Sequence, residues 1–307
     1  RRPRLAPGLG DGRMLIIVGA VIVMGAVIGG FLMAGGHLEV LIQPSEFVVI
    51  GGAAVGSLLI STPMKIVGML VKQISAVFGA PITKADYIEL LSMQYQIFKL
   101  IQQSGVMALE THFEDPPKSP MLGKYKKFLG RHEAVDFLAD SAKIMIVGGI
   151  APHDLEALMD EDLKVHHDDA LKPSSTLSTV GDALPGLGIV AAVLGVVITM
   201  GHIDAPPAEI GHHVGAALVG TFLGILLSYG FVAPLAGSLA QRVNEDQYYC
   251  FCLKAGLLAV YKGHPPAIAI EFARRALPHD VRPTFNETEQ FCKAAMSSAK
   301  ADEAMAA

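Results

Sequence analysis

The side chains from which ion or metal chemistry could be built are few in this sequence, and they fall in suggestive places. His166-His167-Asp168-Asp169 sets four potential ligands in a row. Adjacent residues on a helix point about 100° apart, so two histidines at i and i+1 rarely share one ion. The run reads as a solvated charged face, and no metal is expected. His212-His213 stands beside an apolar run and is either an interfacial pair or a pH-responsive one. Cys250-x-Cys252 lacks the two-residue spacer of redox motifs, and with Cys292 the cysteine count is odd, so no disulfide framework is visible. No G-x-x-x-x-G-K-S/T phosphate loop occurs, and Gly186-Leu187-Gly188 lies inside an apolar run, where it cannot serve as a dinucleotide loop. No catalytic residue and no cofactor are expected, and the chain is not read as an enzyme.

The elements that would position any chemistry are membrane helices. Of 307 residues, 51% are hydrophobic and only 17% are charged, and the net charge of −5 gives no support for nucleic-acid binding. A span needs about twenty mostly apolar residues. Met14 to Ala34 has no charge, nor has Phe47 to Thr62, which Glu46 and Lys65 bracket. Val180 to Met200 has Asp182 at its start, and Val214 to Leu239 has no charge. These predict four transmembrane helices. Residues 1–13, with four arginines, read as an N-terminal extension before Met14. The predicted organisation is an extension over 1–13, spans one and two over 14–62, a helical domain over 63–179, spans three and four over 180–239, and C-terminal helices and tail over 240–307.

Charge asymmetry predicts orientation. The 24 basic residues divide into four before Met14, twelve between Pro63 and Pro173, and eight after Gly237. The loops 35–46 and 201–211 have none. The positive-inside rule then places both termini and the middle domain in the cytoplasm. In that domain, apolar spacing predicts a helix over Tyr87 to Leu109, a second over Ala134 to Ile150 and a third over Pro152 to Leu171. Span four is expected to continue as a helix through Tyr248 and Leu258, followed by a short helix over 267–277 and a frayed tail after Ser297. No strand pattern is visible, and the class is all-α.

Ion transporters normally carry an intramembrane carboxylate or histidine. None is visible deep in these spans, with Asp182 at an edge, so either the chain transports nothing or a partner supplies the titrating group. Two prolines interrupt the spans. Pro185 frees the Gly181 carbonyl and Pro234 that of Gly230, which marks a hinge, a polar path or a tolerated kink. Pro185, Gly188, Ala192 and Thr199 share one small-residue face, and Thr221, Gly224 and Ser228 make a similar face on span four. Plain helix packing and an ion path both fit these faces.

The run Val180-Gly181-Asp182-Ala183-Leu184-Pro185-Gly186-Leu187-Gly188 and its continuation to Val197 resembles the third span of the MotA family of flagellar stator subunits. Val219-Gly220-Thr221-Phe222-Leu223-Gly224 to Ala236 resembles its fourth span. Gln43-Pro44-Ser45-Glu46 and Leu155-Glu156-Ala157-Leu158-Met159-Asp160-Glu161 fit the same family, and the likeness runs from Met14 to about Phe285. The resemblance implies a bacterial inner-membrane protein that works as a pentamer around a dimer of MotB, which brings the ion-binding aspartate, and that turns against the rotor protein FliG. It further implies ion-path and coupling roles for Pro185, Pro234, Thr221, Ala192 and Thr199. The family's rotor contacts, one acidic and one basic, correspond to Glu110 and the neutral Gln102. Lys99 could substitute for the missing charge, and Lys124, Lys126, Lys127 and Arg131 offer other basic contacts or a solvated surface. Proton coupling is implied by the third-span wording. An energising subunit of the ExbB or TolQ kind is the alternative, against which four spans argue; a self-sufficient transporter is opposed by the missing carboxylate.

Overall fold

The computed structural model of the chain describes residues 12–79 and 81–306. The extension expected over 1–13 lies outside the described residues as far as position 11, and helix is present from Gly12. In chain order the helices are α1 (Gly12–Met33), α2 (Leu38–Leu41), α3 (Pro44–Ser61), α4 (Met64–Val77), α5 (Lys84–Ser104), α6 (Glu110–Phe113), α7 (Lys126–Leu129) and α8 (His132–Val147). There follow α9 (Pro152–Met200), α10 (Pro207–Leu227), a π-helical turn (Ser228–Val232), α11 (Ala233–Tyr261), α12 (Pro266–Arg275) and α13 (Phe285–Ala306). Among the described residues there is no strand, and four helices are long and apolar enough to cross a membrane. The protein is an all-α multi-pass membrane protein.

The chain divides into two compact units. One comprises the described residues of 1–81 together with 169–242, the other 82–168 with 243–306. In the first unit, α1 is apolar on every side, with Leu15, Val21 and Ile22 all exposed, as expected of a helix solvated by lipid or by other spans. It ends where Gly35 turns to φ 82° and Gly36 N–H donates to the Phe31 carbonyl, a left-handed cap for which glycine carries no Cβ penalty. Pro44 opens α3 at a position whose N–H would have no helical partner. The buried stripe of α3 is Glu46, Ile50 and Ala54, at i, i+4 and i+8. Ile50 and Ala54 pack with Leu184, Ala191 and Leu223 of α9 and α10. Helix α4 was not expected from the sequence. Its Leu70 and Val77 pack on Leu177, Ala236 and Leu239.

Two expected helices, over Pro152 to Leu171 and over Val180 to Met200, are one continuous helix, α9, with Pro173 and Pro185 inside it. An internal proline costs about 3 kcal/mol through a lost hydrogen bond and a ring clash. Tertiary contacts surround Pro173. Gln73 Nε2 of α4 donates to the Ala170 carbonyl at 2.9 Å, and Ser174 and Leu177 are buried.

The second unit has its own core. Tyr87, Leu90, Met93, Ile97 and Phe98 of α5 pack with Phe137, Leu138 and Met145 of α8, Leu155 and Met159 of α9, and Leu253 and Leu257 of α11. Asp86 closes the start of α5: the Thr83 N–H and hydroxyl both donate to Asp86 Oδ2, at 2.6 and 2.8 Å. Helix α13 covers α5, with Gln96 Nε2 donating to the Ala295 carbonyl at 2.7 Å and Lys84 pairing with Glu287 at 2.8 Å. The chain after Ser297, expected to fray, continues this helix to Ala306.

A pH-dependent contribution to stability comes from α12. Glu271 accepts hydrogen bonds from Arg274 and Arg275 at 2.6 to 2.7 Å, and chiefly the Arg274 contact holds its carboxyl down at about 2. That folded value lies below the ordinary 4.5, so the stabilisation is complete above pH 4.5 and is lost as pH falls toward 2. Glu271→Gln is expected to cost about 2 kcal/mol at neutral pH, with allowance for solvent screening, and nothing near pH 2. Thermal unfolding of wild type and variant in detergent, compared across that range, measures the difference. A gap independent of pH would count against the ion pairs.

Candidate functional site

The geometry of the membrane-spanning unit is set by a backbone-to-backbone crossing of α9 and α10. A Cβ built at Gly188 would lie 2.7 Å from the Gly220 carbonyl oxygen and 3.1 Å from Gly224 Cα. One built at Gly224 would lie 2.6 Å from the Leu184 carbonyl oxygen and 2.9 Å from Gly188 Cα. At Gly195 it would meet the Ala217 methyl at 2.6 Å. No side chain separates the helices along this seam, which is what small residues at membrane interfaces allow.

The expected ion-path residues are distributed along that seam. Thr221 Cα lies 3.3 Å from the Gly188 Cβ position, and the Ala192 amide nitrogen lies 3.2 Å from the Gly220 Cβ position, so Gly188, Ala192, Gly220 and Thr221 form one neighbourhood. Ala192 and Thr221 are half-buried within the chain, while Ala191 beside them is enclosed. Thr199 is at the far end of the face. It is fully buried, and its hydroxyl donates to the Gly195 carbonyl at 2.8 Å, back onto its own helix. Val193, Leu194, Val196 and Val197 of the same helix are exposed apolar surface.

The two prolines act on turns that touch. Pro185 is half-buried and Pro234 is exposed. The Cβ position of Gly181, whose carbonyl Pro185 frees, is 3.1 Å from Val232 Cγ1 and 3.7 Å from the Ala233 nitrogen. Gly230, whose carbonyl Pro234 frees, lies inside the π-helical turn Ser228–Val232. The sequence indicated two freed carbonyls; it did not indicate that the helix widens before Pro234 to accommodate the ring. Such wide turns are rare and concentrate at functional sites.

Glu46 was read from the sequence as a bracket to span two. In the structure it is 7% exposed, on the buried stripe of α3, and its carboxylate Oε2 occupies the space that a side chain at Gly220 would fill. A buried carboxyl is therefore present among these spans. The signal that could have found it is its four-residue spacing from Ile50 and Ala54.

The expected rotor-facing residues belong to the second unit. Lys99 Nζ donates to Gln102 Oε1 at 3.1 Å and lies 5.9 Å from the centre of the Tyr95 ring, so a positive charge rests against the neutral side chain. Glu110 is exposed at the first position of α6, and Lys126 is exposed at the first position of α7. Lys127 pairs with Asp86 at 2.7 Å. Arg131 is engaged internally: it pairs with Asp246 at 2.7 Å and lies over the Tyr249 ring at 4.9 Å. Of the histidines, His166 approaches Asp162 at 3.7 Å one turn away, and His213 stacks on His202 with ring centres 5.6 Å apart.

The family model described as Motility protein A N-terminal matches residues 17–105, and that of the MotA/TolQ/ExbB proton channel family matches residues 131–249. Motility protein A of Salmonella typhimurium is 40% identical over 282 residues, covering 92% of this chain and 96% of that relative. The chain belongs to the MotA/TolQ/ExbB proton channel family. The fold agrees with solved members. The structure of C. jejuni MotAB matches with a TM-score of 0.71 at 19% identity, over 87% of this chain and 96% of that one. The flagellar MotAB stator complex from Bacillus subtilis matches at 0.66 and 21%, with the same coverage. Membership of a proton channel family points to a non-enzymatic role, and the Motility protein A relationship covers both units of this chain.

Proposed function

We propose that this chain is the stator subunit of a bacterial flagellar motor, which conducts protons and delivers torque only when assembled with a MotB-type partner. The observation that carries this reading is the 40% identity to a Motility protein A across nearly its whole length. The physical features fit. The α9–α10 seam is a rigid unit joined by glycine contacts, with an uncovered apolar face on α9 and half-exposed Ala192 and Thr221 beside it. A MotB helix bringing an ion-carrying aspartate would lie against that face, inside a ring of five copies. The absence of basic residues from the loops 35–46 and 201–211 supports both termini lying on the cytoplasmic side of the inner membrane. Pro185, Pro234, Thr221, Ala192 and Thr199 then line or couple to the ion path.

The second unit pushes on the rotor protein FliG through Glu110 and through Lys99 leaning on Gln102, with Lys126 as a further basic contact; Arg131, expected from the sequence to join them, is held by Asp246 and Tyr249. Deleting the gene from a strain with no second stator and scoring swimming tests the function; normal motility would exclude it. Charge reversal tests the lever. Glu110→Lys and Lys99→Glu are each expected to cut tethered-cell torque several-fold while the complex still assembles, because rim charges govern encounter and register more than folding. Unchanged torque in both would move the rotor contact elsewhere.

A further inference from the structure

Glu46 is, among the described residues of the membrane-spanning unit, the charged side chain that the fold encloses. Its Oε2 is sealed from solvent and has no hydrogen-bond partner. The carboxyl points into the gap left by Gly220, a space bounded also by the Ala191 methyl at 3.1 Å and the Ala192 nitrogen at 3.2 Å. No titratable side chain is among these neighbours on α9 and α10. On its own side, the closest acid along the chain is Glu39 of α2, which is exposed. An ionised carboxylate is costly in such surroundings unless a cation or a hydrogen-bond donor meets it. If only volume mattered, an apolar side chain would satisfy the stripe that Ile50 and Ala54 continue. An acid there adds one capacity, which is reversible protonation beside Gly220 and its neighbour Thr221.

We infer that Glu46 is a proton-binding site of the channel contributed by this chain itself, loaded from the side of the membrane on which residues 35–43 lie. Uptake forms one carboxyl O–H bond and neutralises the group; release breaks that bond and returns the proton to water or to an acceptor in the assembled complex. The inference rests on the stator reading.

The test uses the complete complex with its MotB-type partner. A lipid-soluble carbodiimide, which attacks protonated carboxyls, is applied to membranes, and modified positions are mapped by mass spectrometry while proton flux is followed. Glu46 is expected to be modified, and in complexes whose partner aspartate stays unmodified, flux is expected to fall in step with the modification of Glu46. Glu46→Gln, similar in size but unable to titrate, is expected to co-purify with the partner and to lose most of the proton flux, and Glu46→Asp is expected to restore part of it. Glu46 left unmodified, or flux equal to wild type in Glu46→Gln, overturns the assignment. Should Glu46→Gln fail to assemble, the wild-type labelling decides: flux that survives full modification of Glu46 also overturns it. A wild-type complex that carries no proton flux at all overturns the stator reading instead.

Discussion

Gly224→Ala is expected to abolish motility by preventing the membrane-spanning unit from packing. The added methyl would sit 2.6 Å from the Leu184 carbonyl oxygen and 2.9 Å from Gly188 Cα, both backbone atoms that no rotamer change can move aside. Relief requires separating α9 from α10. Separation would loosen the contacts that Leu184, Ala191 and Leu223 make with Ile50 and Ala54. Overpacking of this kind typically costs about 1–3 kcal/mol, and a clash with backbone belongs at the upper end. The expected readout is a large drop in folded, partner-bound protein in detergent extracts, with swimming lost in parallel. Gly237→Ala is the control. Nothing lies within 4 Å of its Cβ position, so the same chemical change is expected to leave protein level and swimming close to wild type. Equal behaviour of the two variants would show that the seam tolerates a methyl and is not close-packed in the membrane.

Pro185→Leu is expected to give the opposite separation: normal assembly, and torque reduced to a small fraction of wild type. Leucine returns an N–H at position 185, which can donate to the Gly181 carbonyl that proline leaves without a helical partner. One such bond is worth about 0.5–1.5 kcal/mol. The restored turn is the one that rests on Val232 and Ala233, next to the π-helical turn and Pro234. Two weakened turns in contact can change conformation together at little cost; regularising one stiffens both. Thermal stability of the complex should be unchanged or higher while rotation of tethered cells nearly stops. Pro185→Ala, which restores the donor without the bulk, should show the same trend. Torque retained in Pro185→Ala but lost in Pro185→Leu would assign the effect to side-chain size instead.

Much of the fold was legible because charge-free runs of span length have few readings. The spans beginning at Met14 and ending near Leu239 are visible for that reason. The features that were not legible depend on partners distant in sequence. Helix α4 was hidden because Lys65 and Lys72 interrupt its apolar character, and its role depends on Leu177 and Leu239. The Gln73 bond to the Ala170 carbonyl, beside Pro173, likewise joins residues far apart in sequence. The expected site fared similarly. Spacing along one helix indicated the small face of α9, whereas the enclosure of Glu46 required knowing that Gly220 stands opposite it. The engagement of Arg131 with Asp246 and Tyr249 could not be read from a basic cluster.

The π-helical turn has a geometric consequence for the fourth span. Gly224 faces the α9 seam and Ala236 packs near Leu177, yet twelve positions on a regular helix of about 100° per residue would leave them about 120° apart. A turn closed to the fifth residue holds one residue more than a turn closed to the fourth. Absorbing that residue leaves a phase difference of only about 20° at the same pitch. The bulge therefore acts as a vernier: it advances the angular count by one position, so that a single azimuth of the rod stays turned inward along both of its segments.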